Sequence, residues 1–118
     1  MKFHNLYITT NTFETYQKVT SLLNITPVKE TSDFSLWTYQ AVENEEDDGY
    51  FDFVNKFLDI LEPNFERLKV LGIEKNDILI WQFYEYDKQC SMSFNPQELK
   101  RFGESGISFN IDCIQKNL

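Results

Sequence analysis

The chain contains one histidine and two cysteines, the side chains most often used as a base, a nucleophile or a metal ligand. His4 lies near the N-terminus, and Cys90 and Cys113 lie far from it along the chain. A Ser-His-Asp or Cys-His device needs its base beside both a nucleophile and an orienting group, and a zinc site needs a recognisable ligand spacing. The sequence has neither pattern. It predicts no catalytic residue, no metal and no cofactor, and His4 is interpreted as an ordinary surface or strand histidine.

The two cysteines are predicted to be structural. Cys90 and Cys113 fall at apolar positions of the strand patterns described below, and buried cysteine behaves as a small hydrophobic side chain. A reactive thiol would need a positive and partly open environment, which the neighbouring residues do not indicate. Two cysteines do not form a disulfide framework, and the N-terminal residues lack the apolar segment of a signal peptide. We therefore expect a cytoplasmic protein with reduced thiols.

An acidic run precedes the second predicted helix and offers carboxylates to a cation or to a basic protein. Its spacing does not match an EF-hand loop, and it lacks a complete set of calcium ligands. Docking of a basic protein stays open beside a plainer interpretation, a solvated loop that leads into a helix N-terminus. The acidic residues of this loop are Glu43, Glu45, Glu46, Asp47 and Asp48.

Charge and size narrow the classes of function. The chain has 118 residues, a formal net charge of -8 and an isoelectric point near 4.5. This length predicts a single domain over residues 1–118. Because the acidic chain should repel phosphate groups, we expect no binding to nucleic acid and no binding to acidic membranes. A basic protein partner is favoured by faster encounter.

An aromatic-rich stretch, ILIWQFYEYDKQCSMSF, predicts two strands joined by a turn at Asp87 and Lys88. Directly opposed residues of a hairpin share a face, so this turn fixes which side chains lie together. The face predicted to enter the core contains Leu79, Trp81, Phe83, Cys90, Met92 and Phe94. The face predicted to remain open contains Gln82, Tyr84, Tyr86, Gln89, Ser91 and Ser93.

The remaining elements complete an α+β pattern. Hydrophobic periodicity predicts strands over Phe3–Thr10, Ser35–Val42 and Ile107–Ile114. Periodicity and capping signals predict three helical regions: one with Asn11 as its N-cap that ends at about Leu23, one over 50–71 with a break at Pro63, and one with Asn95 as its N-cap and Pro96 at its first position that ends at Gly103. The order is strand, helix, strand, helix, strand, strand, helix, strand. It predicts an α+β single domain with a mostly antiparallel sheet and helices packed on one face, and a ferredoxin-like arrangement is one possibility.

The C-terminal part of the chain resembles a bacterial family known as domain of unknown function 4279. The resemblance rests on a short helix that begins at a proline, a glycine turn and a final alternating strand, formed here by Pro96, Glu98, Leu99, Gly103, Gly106, Ile111 and Asp112. Upstream, Leu23, Ile25 and Pro27 resemble a Leu-x-Ile-x-Pro feature, and Ser35 and Trp37 resemble a Ser-x-Trp feature. The resemblance implies the same α+β fold, and it implies neither an activity nor catalytic residues.

The predicted open face is the main candidate for binding. Tyrosine beside small polar groups suits protein recognition, because it combines apolar area with a hydrogen-bonding tip. The candidate residues are Tyr84, Tyr86, Gln82, Ser91, Ser93, Asn110, Asp112 and Tyr7. They favour a non-enzymatic protein-interaction domain. An immunity protein, which neutralises a toxin, is one version of this hypothesis. The alternatives are an ordinary solvated sheet face, self-association, and a small-molecule site or weak enzyme in a cleft between sheet and helices.

Overall fold

Four strands form one mixed sheet in the order β2-β1-β3-β4. The computed structural model describes residues 2–28, 33–42 and 52–116. β1 pairs antiparallel with both β2 and β3, whereas β4 pairs parallel with β3. The predicted α+β fold is confirmed, with two of the three strand pairings antiparallel. The strands are β1 (Lys2–Thr9), β2 (Leu36–Val42), β3 (Ile78–Tyr86) and β4 (Ser108–Gln115).

Within the described ranges, four α-helices connect these strands: α1 (Phe13–Leu23), α2 (Phe53–Leu61), α3 (Phe65–Val70) and α4 (Pro96–Ser105). Short 3-10 turns cover Glu62–Asn64 and Lys75–Asp77. As the sequence predicts, the side chain of Asn95 caps α4 by accepting a hydrogen bond from the Gln97 backbone N–H at 2.8 Å. The helix runs past the predicted stop at Gly103 and ends at Gly106, where a φ of 76° suits glycine.

The start of α1 lies one residue later than predicted. Thr12, not Asn11, is the N-cap, and its hydroxyl accepts a hydrogen bond from the Thr15 backbone N–H at 3.2 Å. Asn11 has a φ of 65°, in the left-handed region that asparagine tolerates better than most residues. The helix ends at Leu23, as predicted, with Asn24 in the left-handed conformation as its C-cap.

The hydrophobic core lies between the helices and one face of the sheet. Trp37, at 0% exposure, is the largest fully buried side chain, and its indole Nε1 donates to Thr20 Oγ1 at 3.0 Å. Burial of such apolar area is the main favourable term in folding. The strands, the helices and the segments that join them contribute Leu6, Ile8, Val19, Leu23, Trp37, Ala41, Phe53, Val54, Phe57, Leu58, Leu61, Leu68, Ile73, Ile78, Ile80 and Ile107.

Arg101 joins α4 to α2 at the surface of this layer. Its guanidinium contacts Asp59 Oδ1 at 2.8 Å and Glu62 Oε1 at 3.1 Å, and it also donates to Asn55 Oδ1. A planar guanidinium can serve several acceptors at once because its donors are held in a fixed fork. This cluster links α4 to the exposed side of α2 and to the turn that follows it.

The sheet connectivity differs from the ferredoxin-like possibility. β1 and β2 flank α1 in sequence, yet they are direct neighbours and run antiparallel. A split βαβ unit would join parallel strands through its helix. The observed order therefore defines another arrangement of the same secondary-structure classes.

The predicted second strand of the hairpin does not form. Residues 87–95 have no strand pairing, and β3 instead pairs on this side with the C-terminal β4. The backbone N–H of Lys116 donates to the carbonyl of Tyr86 at 2.8 Å, which closes the ladder at the end of β3. The turn at Asp87 and Lys88 consequently cannot fix the facing of β3, and the predicted register was wrong.

Candidate functional site: an aromatic face of the sheet

The facing of β3 is opposite to the prediction. Ile78, Ile80 and Gln82 are buried on the helix side of the sheet. Because strand side chains alternate, Trp81 and Phe83 point to the other side. Trp81 was predicted to lie in the core, and it is instead half-buried on the face away from the helices.

The face away from the helices is formed mainly by β1 and β3. Their antiparallel register sets Phe3 opposite Phe83 and Tyr7 opposite Leu79. The rings of Phe3 and Phe83 stack with centroids 4.8 Å apart, and Phe83 stacks on Trp81 at 5.5 Å. Tyr7 meets Trp81 edge to face at 6.1 Å. Cross-strand aromatic contacts of this kind stabilise a sheet and fix the ring positions.

This set is named the aromatic face: Phe3, Tyr7, Leu79, Trp81 and Phe83. All five side chains are half-buried. Within residues 2–28, 33–42 and 52–116, none of them belongs to the core cluster or packs against it. The face is therefore a second apolar surface, separate from the core and partly open to solvent.

Two buried polar atoms lie on the same side of the sheet. Asn5, at 4% exposure, pairs in register with Trp81, and its Nδ2 donates to the Tyr7 hydroxyl at 2.7 Å. Asn5 Oδ1 and Trp81 Nε1 have no hydrogen-bond partner among the residues that the structure describes. An unpaired buried polar atom costs about 1–3 kcal/mol, but Gln82 Oε1 on the helix side is in the same situation, so these atoms do not by themselves mark a binding site.

The charged side chains that the strands place on this side are both acidic. Asp112 of β4 lies opposite Phe83, and Glu85 follows two positions after Phe83 along β3. Glu85 is 3.6 Å from the ammonium group of Lys116 at the end of the sheet. A half-buried aromatic row is thus bordered by carboxylates, which favours a partner with complementary positive charge.

An open depression of about 380 Å³ adjoins one end of the aromatic face. Tyr7, Leu79 and Trp81 form one wall, and Thr9 and Leu36 extend it toward the edge strand β2. Asn76 and Asp77 complete the rim. A depression beside fixed rings can receive one apolar side chain of a partner, which is the arrangement typical of interface anchors.

The structure divides the residues predicted to bind a partner between two faces. Tyr7, Asn110 and Asp112 lie on the side of the aromatic face, whereas Gln82, Tyr84 and Tyr86 alternate to the helix side. The open position predicted for Gln82 was wrong, since that residue is only 5% exposed. The placement of Tyr84 and Tyr86 on the open face was also wrong, and the ring of Tyr84 lies 4.7 Å from Lys2 Nζ. Ser91 and Ser93 are exposed, but they lie in the segment without strand pairing.

Phe3, Trp81 and Phe83 were missed as candidates for binding. The signal that could have identified them is that both faces of β3 are apolar, with Ile78 and Ile80 on one face and Leu79, Trp81 and Phe83 on the other. A strand with two apolar faces predicts two buried or partly buried surfaces. The acidic loop, Glu43, Glu45, Glu46, Asp47 and Asp48, lies outside the described residues.

His4 is a buried strand residue on the helix side of the sheet. It is 1% exposed, and its ring stacks on Phe53 with centroids 4.3 Å apart. Burial and, to a smaller extent, the positive charge of Lys2 together lower the pKa of His4 to about 4. His4 is consequently neutral at neutral pH and packs as an aromatic side chain.

The predicted burial of the cysteines in the core was wrong. Cys113 is exposed near the end of β4, and Cys90 is half-buried in the segment after β3. Their Sγ atoms are 2.9 Å apart. The alternation of β4 does direct Cys113 toward the helix side, as predicted, but the helices do not extend over this end of the sheet enough to bury it.

A metal-binding cluster and a membrane-spanning helix are both absent from the part of the chain that the structure describes. No group of three or more His, Cys, Asp or Glu side chains is arranged to hold a metal ion there. None of the helices described has both the length and the apolar character needed to cross a bilayer.

Comparisons of the chain with protein-family models, with curated proteins and with solved structures found no match. The resemblance to the family of unknown function stays a prediction.

Proposed function

We propose that this chain is a cytoplasmic, non-enzymatic protein-interaction domain that binds a basic protein through the aromatic face. The observation that carries the proposal is the row of stacked rings outside the core, from Phe3 through Phe83 to Trp81. Aromatic side chains with half-buried, fixed rings provide large contact area at little entropic cost, and they dominate binding energy at interfaces.

Charge supports the choice of a basic partner. Among the strand residues that the structure describes, the charged side chains on this side of the sheet are Asp112 and Glu85, the latter paired with Lys116. The whole chain has a net charge of -8. Because Glu85 is paired with Lys116, a second copy of the chain docked through a two-fold axis would bring the Asp112 carboxylates of two chains, each with a net charge of -8, into one interface. Like charges across an interface oppose association, so a different protein with Lys or Arg around an apolar anchor is favoured. An immunity protein that neutralises a toxin is one form of this proposal.

Quantitative capture from the native cell tests the proposal with two matched variants. Phe83→Ala removes a ring of the aromatic face, and Tyr84→Ala removes the neighbouring ring, which alternates to the opposite side. We expect wild type and Tyr84→Ala to capture the same protein, with a basic surface, and Phe83→Ala to lose it. Capture should weaken at raised ionic strength, because screening acts on exposed charges.

Other outcomes would count against the proposal. Equal capture by the Phe83→Ala and wild-type chains would exclude the aromatic face. Capture of an acidic protein, or a molar mass in solution that corresponds to a dimer broken by Phe83→Ala, would exclude the basic partner. Circular dichroism of both variants supplies the control for folding, and the half-exposed position of Phe83 favours a folded product.

A further inference from the structure

Cys90 and Cys113 meet although 23 positions separate them in sequence. Cys113 lies in β4 opposite Tyr84, near the end of the β3–β4 ladder. The chain leaves β3 after Tyr86 and returns along the helix side of the sheet, which brings Cys90 to Cys113 with the Sγ atoms 2.9 Å apart. The sheet register and the return path together create this contact.

The segment that contains Cys90 is held at its far end. Phe94 packs edge to face against Phe53 at 6.4 Å and against Phe109 at 5.9 Å, and so it ties the segment to the core. Cys90 therefore lies between a ring anchored in the core and the turn that follows β3. The position of its thiol beside Cys113 is set by the fold at both ends.

The two thiols differ in access to solvent. Cys113 is exposed, whereas Cys90 is half-buried. The hydrogen bond with Cys113 raises the pKa of the Cys90 thiol, and partial burial raises it further. Because Cys113 is the more exposed of the two, it is the thiol that an oxidant in solution reaches first.

We propose that Cys90 and Cys113 are a redox-active pair that forms a reversible intramolecular disulfide by exchange with glutathione disulfide. This proposal is independent of the aromatic face, which lies on the other side of the sheet. The plainer explanation of the contact is a hydrogen bond between two thiols that always stay reduced.

The exchange proceeds in two balanced steps. Cys113 loses its proton and attacks one sulfur of glutathione disulfide, which forms a mixed disulfide and releases one glutathione thiolate. Cys90 then loses its proton and attacks Cys113 Sγ, which breaks the mixed disulfide, forms the Cys90–Cys113 bond and releases the second glutathione thiolate. The two released thiolates take up the two protons. The protein loses two electrons, and one glutathione disulfide is reduced to two glutathione molecules.

The bond would link the segment after β3 to the edge strand β4. Closing a loop between residues 90 and 113 removes conformations from the unfolded chain and thereby stabilises the fold. In a reducing compartment the pair would return to thiols, since cytoplasmic disulfides are usually transient. The fraction of chains that contain the Cys90–Cys113 bond would thus rise with the ratio of glutathione disulfide to glutathione.

Intact-mass spectrometry after thiol alkylation tests the proposal. The full chain is equilibrated with increasing ratios of glutathione disulfide to glutathione, then acid-quenched, unfolded and alkylated. We expect wild type to lose both alkylation sites together, with a mass lower by two hydrogen atoms and no bound glutathione. The single-cysteine variants Cys90→Ser and Cys113→Ser should instead accumulate a mixed disulfide with glutathione.

Three results with the folded wild-type chain would overturn the proposal. In the first, wild type retains both alkylation sites at a ratio of glutathione disulfide to glutathione that modifies the single-cysteine variants. In the second, wild type accumulates mixed disulfides with glutathione, and in the third it forms disulfide-linked dimers. Wild type kept in urea during the exchange is the control for geometry. There the thiols are no longer held together, and mixed disulfides should exceed the intramolecular bond. Equal yields of that bond with and without urea would also contradict a site built by the fold.

Discussion

Acidification from neutral pH should destabilise the fold through His4. The buried ring has a pKa of about 4 in the folded protein, against 6.5 in an unfolded chain. As the pH falls below 6.5, the unfolded chain binds a proton that the folded chain does not accept. The stability contributed by neutral His4 is therefore complete above about pH 6.5, decreases between about 6.5 and 4, and is lost below that range.

The size of this effect follows from the two pKa values. At 1.36 kcal/mol for each pKa unit, the difference between them predicts that the free energy of unfolding falls by roughly 3 kcal/mol across the whole pH range. At about pH 5 the loss is roughly 2 kcal/mol. This is a large part of the stability of a small domain, which is typically 5–15 kcal/mol. Burial is the larger cause of the shift and the charge of Lys2 the smaller one.

Urea unfolding of wild type and His4→Gln at neutral pH and at about pH 5 isolates this contribution. Carboxylates titrate in both chains, so the difference between their pH dependences reports His4 alone. The variant loses the stack on Phe53 at every pH, but its stability should fall by about 2 kcal/mol less than that of wild type on acidification. The chain has a single histidine, so its ring signals in NMR give the folded pKa directly.

Equal pH dependence of the two chains would refute this reasoning. So would a histidine resonance that titrates near 6.5 in the folded protein, because the ring would then be accessible to protons. A third variant, His4→Phe, keeps an aromatic ring against Phe53 and removes the titration. It should show the pH dependence of His4→Gln with a smaller loss of stability at neutral pH.

Two further predictions concern the core and the helix pair. Phe57→Ala removes a ring at 0% exposure and should lower the free energy of unfolding by about 3–5 kcal/mol in urea denaturation; a loss below 1 kcal/mol would contradict its central position. Arg101→Gln should cost about 1 kcal/mol, because it breaks the contacts with Asp59 and Glu62 at a partly exposed site. The neighbouring exposed Lys100→Gln is its control and should change stability by less than about 0.5 kcal/mol; equal effects of the two changes would contradict a specific role for Arg101.

Local signals in the sequence predicted much of the fold. The cap and proline at Asn95 and Pro96 mark the start of α4, because their chemistry acts within one helical turn. The strand predicted over Ser35–Val42 is also found, as β2, with Trp37 and Ala41 on its buried side. These features depend on neighbours in sequence, and a single chain is sufficient to identify them.

The candidate site could not be predicted correctly, because it depends on long-range pairing. Both parities of β3 are apolar, so hydrophobic alternation alone does not decide whether Ile80 or Trp81 enters the core. The predicted hairpin decided in favour of Trp81, but β3 pairs with β1 and β4 instead. The same hairpin register predicted an open position for Gln82, although Gln82 alternates to the side of Ile78 and Ile80, which pack beneath the helices.

The dissociation constant of the captured partner for two purified variants tests the central claim most directly. If the aromatic face is the binding surface, Phe83→Ala should weaken binding by about 30-fold or more, equivalent to about 2 kcal/mol at an interface anchor. Tyr84→Ala, which alters the adjacent residue on the opposite side of β3, should leave the constant within about twofold, well under 1 kcal/mol. The reverse pattern, with binding lost in Tyr84→Ala and retained in Phe83→Ala, would contradict the account.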